Sequence, residues 1–283
     1  MKKIVTIQDI SCVGKCSLTV ALPVISAMGI ETAIIPTAVL SAHTAFEGFT
    51  FCDLTNEINK ISEHWKKENI NFSAIYTGYL ASEKQIQIVS DFFDKFKTEK
   101  NIVFVDPAMA DNGVLYKGFD KSFVKKMANL CAKADIIIPN MTEASFILDT
   151  EYIGFGYNED YIKQMLVNLC KLGCKTAVIT GVSFKQDEIG VMSYDSENDK
   201  FFKYFNKKIL REFHGTGDVF ASTCVGALMN GLSLDKSLEI SADYTTECIK
   251  STLEDKNANW YGVNFEEKIP YLLNRIKTAV FIL

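Results

Sequence analysis

Short apolar, β-branched runs recur along this chain with amphipathic stretches between them, and that alternation restricts the fold more than any other feature. The runs are "KKIVTIQD", "ETAIIPTAVL", "SAIYTGY", "NIVFVDP", "DIIIPN" and "TAVITGV", each short enough to be a buried strand. The intervening segments, among them "CSLTVALPVISAMG", "SEKQIQIVSDFFDKFKTEK" and "NEDYIKQMLVNLCKLG", carry helical spacing of their apolar residues. Strands that alternate with helices predict a mainly parallel sheet covered by helices on both faces. After Gly181 the texture changes. "EIGVMSYDS" and "DKFFKYFNKKI", joined through "DSEND", predict a pair of antiparallel strands. Helices follow, beginning within "GTGDVFASTCVGALMNG" and closing with "NFEEKIPYLLNRIKTAV". With no internal repeat and no low-complexity linker, the expectation is an α/β fold, a single doubly wound domain spanning residues 1–283.

Composition narrows the partners. Hydrophobic residues make up 48% of the chain and charged residues 23%, and the formal net charge of −5 is spread without a long basic run. Tracking a nucleic-acid backbone needs such a run, so no nucleic-acid partner is expected. No segment is apolar for the ~20 residues of a membrane span, so no membrane partner is expected either. The start "MKKIVTIQDIS" breaks its apolar pattern at Gln8 and Asp9, unlike a signal peptide, which makes the cytoplasm the expected location. The eight cysteines include no CxxC pair. Cys12/Cys16 and Cys170/Cys174 lack the clustered histidines of a zinc site, so reduced thiols are expected.

In open α/β sheets ligands sit beyond the carboxyl ends of the strands. The first such turn, "DISCVGKCS", approaches a P-loop but places Asp9 at the first glycine position and Cys16 at the hydroxyl position. Two dinucleotide-like stretches also fail, "GFGYNE" at Glu159 and "GTGDVF" at Phe220. Other strand ends carry polar groups: Asp106 and Asp111 in "VDPAMAD", Asn140 and Glu143 in "PNMTE", Thr180 and Gly181 in "ITG", His43 and Thr44 in "LSAHT", and Tyr79 in "TGY". Singly, each has a structural explanation. Asn140 or Thr142 can cap a helix, Asp106 can shape the turn before Pro107, and His43 or Tyr79 can belong to the core or its rim. His64, on the polar face of a helix, reads as solvated. Placement of the others along one sheet edge is what makes them a candidate site.

"HGTGDVFAS" adds chemistry. Gly215 and Gly217 permit a tight turn, and the apolar run after them reads as a helix whose first N–H groups form an anion hole. Asp218 falls on the first turn of that helix, where the positive end of the dipole is expected to keep it ionised. A carboxylate so placed can take a proton from an alcohol attacking phosphorus. Standing alone, the same residue is an ordinary acidic helix start.

These motifs do not stand alone. "GTGD", "PNMTE" and the "TG" strand end, in that relation, resemble the ribokinase-like superfamily of small-molecule kinases. Within it, "TIQDISCVGKCSLTVALPVISAMGIETAIIPTAVLSAHTAFEG", "TGYL" and "VDPAMADNG" resemble the pyridoxal kinases over nearly the whole chain. The resemblance implies that Asp218 is the catalytic base and that the backbone at Gly215, Thr216 and Gly217 is the anion hole. It implies that Asp106 and Asp111 lie near phosphates and cations, that Asn140 and Glu143 organise Mg²⁺ and the triphosphate, and that Thr180 and Gly181 border the nucleotide. His43, Thr44 and Tyr79 match positions lining the pyridine-ring site. Many pyridoxal kinases read Gln-Ser where this chain reads Gln8-Asp9, so the ring contact of that serine is expected to pass to Asp9 or Ser11. The implied activity is ATP-dependent phosphorylation of the 5′-hydroxymethyl group of pyridoxal, pyridoxine or pyridoxamine by a homodimer using ATP and Mg²⁺, with a monovalent cation left open. A hydroxymethylpyrimidine kinase and a catalytically idle nucleotide- or vitamin-binding regulator are the alternatives.

Overall fold

Burial on both faces is what lets "KIVTIQDIS" and the runs like it serve as strands between helices. In the computed structural model, which describes residues 2–211 and 213–281, the chain begins β1 (Lys3–Ser11), α1 (Leu18–Ala27), β2 (Glu31–Leu40), β3 (Phe51–Asp53) and α2 (Thr55–Lys67). It continues β4 (Ala74–Thr77), α3 (Glu83–Phe96), β5 (Ile102–Val105), β6 (Ala110–Asp111), β7 (Val114–Leu115) and α4 (Lys121–Cys131). Next come β8 (Ile136–Ile137), α5 (Met141–Ile147), α6 (Glu159–Lys171), β9 (Thr176–Val182), β10 (Glu188–Asp195) and β11 (Lys200–Lys207). Three helices close the chain: α7 (Thr216–Met229), α8 (Leu234–Glu254) and α9 (Ile269–Phe281). No helix among the described residues is long and apolar enough to cross a membrane.

The chain divides into two compact units. The first comprises Met1–Ile61, Asn71–Ser73 and Ile209–Leu283. In it β1 pairs with β2 in parallel, the crossover running through α1, and β3 adds an antiparallel edge strand on β2. That edge strand is three residues long and exposed, so it carries no apolar run from which to read it. The core beneath is built by α1, α7, α8 and α9 through Val20, Val219, Tyr244 and Leu272. Helices α1 and α7 approach closely enough that a Cβ on Gly226 would lie 1.9 Å from Met28 Cε. Tyr244, wholly buried, donates its hydroxyl to the Phe265 carbonyl at 2.8 Å.

The second unit comprises Ser62–Ile70 and Ala74–Lys208. Its strands run in the order β11-β10-β9-β8-β5-β4. From β4 to β9 the neighbours are parallel, whereas β9, β10 and β11 are antiparallel, with Asp195 opposite Lys200 at the turn as the "DSEND" stretch predicts. Helix starts follow their capping residues: Ser82, Asp120, Asn140 and Asn158 each accept an N–H from the first turn of α3, α4, α5 and α6. The short strands β6 and β7, which pair as a hairpin with Asp111 opposite Val114, are likewise not legible in the sequence. At two residues each they are too short to show a period. All eight cysteines are free thiols, as expected.

The Tyr244 hydroxyl gives a direct test of how the four-helix core is held. Tyr244→Phe leaves the Phe265 carbonyl with only the Lys268 N–H, 3.1 Å away, and should lower stability by about 0.5–1.5 kcal/mol, the net worth of one hydrogen bond. The urea midpoint should fall with an unchanged m-value. An unchanged midpoint would show that this carbonyl does not depend on the tyrosine.

Candidate active site

The glycine turn before α7 is fixed by a close approach of backbone to backbone. Gly215, at φ 78° and ψ 1°, is the residue just before α7, and a Cβ there would lie 1.7 Å from the Lys15 carbonyl oxygen. No side chain fits, and the left-handed φ independently favours glycine. Gly217 is different. It is helical, and a Cβ on it would meet nothing within 4 Å. The turn therefore needs only one of the two glycines, and the second leaves open space over the first turn of α7, where helix N–H groups have no intrahelical acceptor.

Asp218 sits on that first turn and remains partly exposed at its edge. The sequence led us to expect a carboxylate kept ionised by the helix dipole. Burial instead pushes its pKa up to about 7, against the lowering effect of a hydrogen bond from the Ser17 N–H and with a further rise from Asp9. The correction has a simple physical reason. A dipole end is worth ~0.3–1 kcal/mol, whereas desolvation moves a buried carboxyl by several pKa units. A group poised near neutrality is better matched to general-base work than a permanently ionised one.

Around Asp218 the first unit gathers Asp9, Ser11, Cys16 and Ser17. Asp9 and Ser11 are 3% and 1% exposed, and the Ser11 hydroxyl donates to Asp9 Oδ2 at 3.0 Å. Burial raises the Asp9 pKa despite hydrogen bonds from the Ser17 and Ser11 hydroxyls. The two residues expected to take over a ring contact thus engage each other. Cys16 is pushed up to about 12, first by burial and then by Asp218 and Asp9, and stays a neutral thiol. Lys15, the lysine of the P-loop-like stretch, points its ammonium at Glu266 Oε2, 2.9 Å away, and Asn264 Oδ1, 3.2 Å away, so the turn is anchored to the chain after α8.

His43 is buried, and both of its nitrogens are taken by the protein: Nε2 donates to the Tyr261 carbonyl at 3.2 Å, and Nδ1 accepts from the Ala45 N–H at 3.2 Å. Burial, with His214 nearby, lowers its pKa, so the ring is neutral and offers surface rather than hydrogen bonds. That ring packs beside His214, Phe46 and Trp260, with centroids 4.9, 5.0 and 5.7 Å away. Thr44 is exposed next to it. Tyr79 belongs to the second unit, half-buried with its ring 5.7 Å from that of Phe119.

In the second unit Asn140 and Glu143 form a capping box on α5. Asn140 Oδ1 accepts the Glu143 N–H at 2.9 Å, and Glu143 Oε2 accepts the Asn140 N–H at 2.8 Å. Glu143 Oε1 accepts the Met109 N–H at 3.0 Å, and Asn140 Nδ2 donates to the Ala110 carbonyl at 2.8 Å. These bonds bring the β6–β7 hairpin, and with it Asp111, against the start of α5. Thr180 joins through its N–H to Pro139 O at 3.0 Å, and Gly181 follows at φ 75° with open space over its Cα. Asp106, half-buried, directly follows β5. Glu143, 3% exposed, is pushed up to about 7 by burial against three backbone N–H donors, those of Asn140, Met109 and Ala110. Among the described residues no three His, Cys, Asp or Glu side chains gather into a metal cage. One or two carboxylates still suit an Mg²⁺ ion that keeps its waters and rides on phosphates. Asp106 and exposed Asp111 fit that use better than Glu143, whose oxygens already hold the hairpin.

Sequence reasoning missed Ser17, Lys15 and Trp260. Ser17 had a signal, since a serine ahead of an apolar helical run marks a helix start, but its second role depends on Asp218 about two hundred residues away. Trp260 had none.

A family model described as phosphomethylpyrimidine kinase matches residues 22–261. Among solved structures, a protein from Bacteroides thetaiotaomicron VPI-5482, provisionally assigned as a phosphomethylpyrimidine kinase and determined with pyridoxal, is 38% identical. It superposes with a TM-score of 0.91 over 96% of this chain and 95% of that one. Pyridoxal kinase from Lactobacillus plantarum is 28% identical, with a TM-score of 0.88 over 97% of both chains. The hydroxymethylpyrimidine/phosphomethylpyrimidine kinase of Bacillus subtilis (strain 168) is 26% identical over 191 residues, 66% of each chain. The mainly parallel sheet flanked by helices is common to these solved structures and this chain. On the match over residues 22–261, and on a relative 38% identical along almost its full length, the chain belongs to the phosphomethylpyrimidine kinase family, among the ribokinase-like kinases that include the pyridoxal kinases.

Proposed function

We propose that this kinase transfers the γ-phosphoryl group of ATP to the 5′-hydroxymethyl group of a B6 vitamer. The observation that carries the reading is Asp218, a carboxyl with a pKa of about 7 on the first turn of α7, beside the open space over Gly217. An alcohol delivered there hydrogen-bonds to the Asp218 carboxylate, which takes the hydroxyl proton as the oxygen attacks phosphorus. N–H groups of Gly215, Thr216 and Gly217, at the start of α7 where the helix offers them no acceptor, would stabilise charge on the transferring group. In the second unit, Asp106 and Asp111 would hold Mg²⁺, which supplies neutralisation of the triphosphate, while Glu143 keeps the hairpin bearing Asp111 in place. Asn140, Thr180 and Gly181 are assigned to the nucleotide side, and His43, Thr44 and Tyr79 to the vitamer side, His43 through ring surface alone.

The relative determined with pyridoxal, at 38% identity, supports the vitamer. The family model and the Bacillus subtilis relative support hydroxymethylpyrimidine as the competing acceptor. Both acceptors present a hydroxymethyl group to the same base, so the machinery is common and the ring decides. Pyridoxal, pyridoxine, pyridoxamine and hydroxymethylpyrimidine assayed at one ATP concentration should give the highest kcat/KM for a B6 vitamer. A clear preference for the pyrimidine would overturn the vitamer assignment and leave the phosphoryl-transfer chemistry standing. An absence of turnover with all four would overturn the kinase reading.

The base assignment has two consequences. Asp218→Asn should lower kcat by roughly 10²–10⁴-fold while ATP still binds, and near-normal turnover would refute it. Because the base must be ionised, wild-type kcat/KM should rise with pH up to about 7 and level off above it. The same shift sets a stability cost. A carboxyl raised from 3.8 to about 7 by folding makes the native state progressively less stable as pH climbs through that window, with no further loss above it. Asp218→Asn should therefore melt at higher temperature than the wild type at pH ~8, with the difference vanishing below pH ~4.

A further inference from the structure

Four segments of the first unit meet beyond the carboxyl ends of β1 and β2, and Trp260 stands among them with no use in the chemistry above. The turn after β1 packs on the loop after β2: a Cβ on Gly14 would lie 2.5 Å from His43 Cδ2, and the His43 backbone N–H donates to the Val13 carbonyl at 3.0 Å. The same turn packs on the loop after α8, where a Cβ on Gly262 would lie 2.5 Å from Lys15 Cβ, and on the turn before α7 through Gly215. Side chains hold the loop after α8 in place. Asp255 accepts the Asn257 N–H at 2.8 Å and the Asn264 side-chain amide at 2.9 Å, and the Asn264 backbone N–H donates to Thr252 Oγ1 at 2.8 Å.

A loop so fixed could turn its largest apolar side chain inward, yet Trp260 is 53% exposed. Its ring neighbours are Phe46, His43, Tyr261 and His214, with centroids 4.6, 5.7, 6.1 and 6.3 Å away. They meet it at interplanar angles of 45°, 74°, 80° and 80°. None of these rings lies parallel to the indole, and its exposure leaves room for one that does. Aromatic rings favour offset stacking as well as edge contact, and here only the edge contacts are made within the protein. His214 is exposed too, and it immediately precedes Gly215 of the anion-hole turn, so the ring cluster borders the start of α7.

We propose that Trp260 is the wall on which the acceptor's heteroaromatic ring stacks, and that it favours a pyridine over a pyrimidine. This rests on Asp218 as base and on a hydroxymethyl heterocycle as acceptor. Such an acceptor carries its reacting hydroxyl one carbon from the ring, so the ring lies against the start of α7 when the hydroxyl reaches Asp218. Adenine is held away from the γ-phosphorus by a ribose and two further phosphates, and nothing requires it there. The indole face also supplies a chemical basis for choice. A B6 ring has a basic pyridine nitrogen, and its protonated form is a cation that an indole face attracts, whereas a neutral pyrimidine gains stacking alone. His43, with both ring nitrogens occupied, does not make that distinction by hydrogen bonding.

The test uses the full chain and two readouts. Trp260→Ala should raise the KM for pyridoxine about tenfold and that for hydroxymethylpyrimidine about threefold or less, with kcat and the KM for ATP near those of the wild type. Trp260→Phe, which keeps a ring face, should recover most of the loss. The chain has two tryptophans, so Trp65→Phe, in α2, leaves Trp260 as the sole indole fluorophore. Saturating pyridoxine should then lower the acrylamide quenching constant of that fluorescence by about half or more, because a stacked ring covers the exposed face, and ATP alone should not. An unchanged pyridoxine KM in Trp260→Ala, even with a lowered melting temperature, overturns the proposal and leaves the indole a packing group. A raised KM for ATP with that for pyridoxine unchanged also overturns it, as the nucleotide base would then be the stacked ring. Equal losses for the two acceptors overturn the selectivity. If Trp260→Ala does not fold, the quenching of Trp65→Phe decides by itself. Should the wild type phosphorylate no vitamer, the kinase reading fails, and shielding by pyridoxine still decides whether the ring binds on Trp260.

Discussion

Everything on the acceptor side depends on one contact, the Lys15 carbonyl lying where a Cβ of residue 215 would be. It forces glycine, and it seats the turn after β1 directly on the start of α7. Once that turn is seated, the Ser17 N–H reaches Asp218, and the Lys15 side chain runs to Glu266 and Asn264, tying the turn to the chain that follows α8. The lysine that seems to promise a P-loop is therefore an anchor. It neutralises Glu266, and its backbone, not its charge, shapes the site.

Desolvation is the second governing effect, and it acts on both halves of the chemistry. Asp218 in the first unit and Glu143 in the second are each pushed up to about 7 by burial, against hydrogen bonds that pull the other way. The two differ in what those bonds leave free. Glu143 accepts backbone N–H groups on both oxygens, so its carboxylate is committed to holding Met109 and Asn140. Asp218 accepts one backbone N–H and stays partly exposed, which leaves an oxygen for an incoming hydroxyl. Equal shifts therefore go with unequal roles, one structural and one reactive, and the hydrogen-bond pattern separates them where the pKa does not.

Much of this architecture is legible in the sequence because it is periodic or local. Strand runs alternate with helical runs, and β10 and β11 announce themselves by alternation around a polar turn. Asn140 and Glu143 carry the spacing of a capping box, and the structure confirms that local reading of Asn140. What escaped was either too short to show a period, as in β6 and β7, or dependent on contacts far along the chain. His43 illustrates the second case. Its position marks it as a site residue, but only the fold shows that Tyr261, far along the chain, occupies its Nε2.

The same distinction explains why the ionisation of Asp218 was misjudged. A helix start is visible in sequence, and so is the favourable dipole it brings. Burial is a property of the packed chain and is invisible there, yet it outweighs the dipole. The two pieces of sequence that create the burial, "DISCVGKCS" and "HGTGD", lie far apart in the chain, and neither one betrays the other. A motif can therefore name the group that does the chemistry while leaving its working pKa to be set by a partner segment. In this chain that segment brings a second buried acid, Asp9, whose charge adds to the rise that burial produces at Asp218.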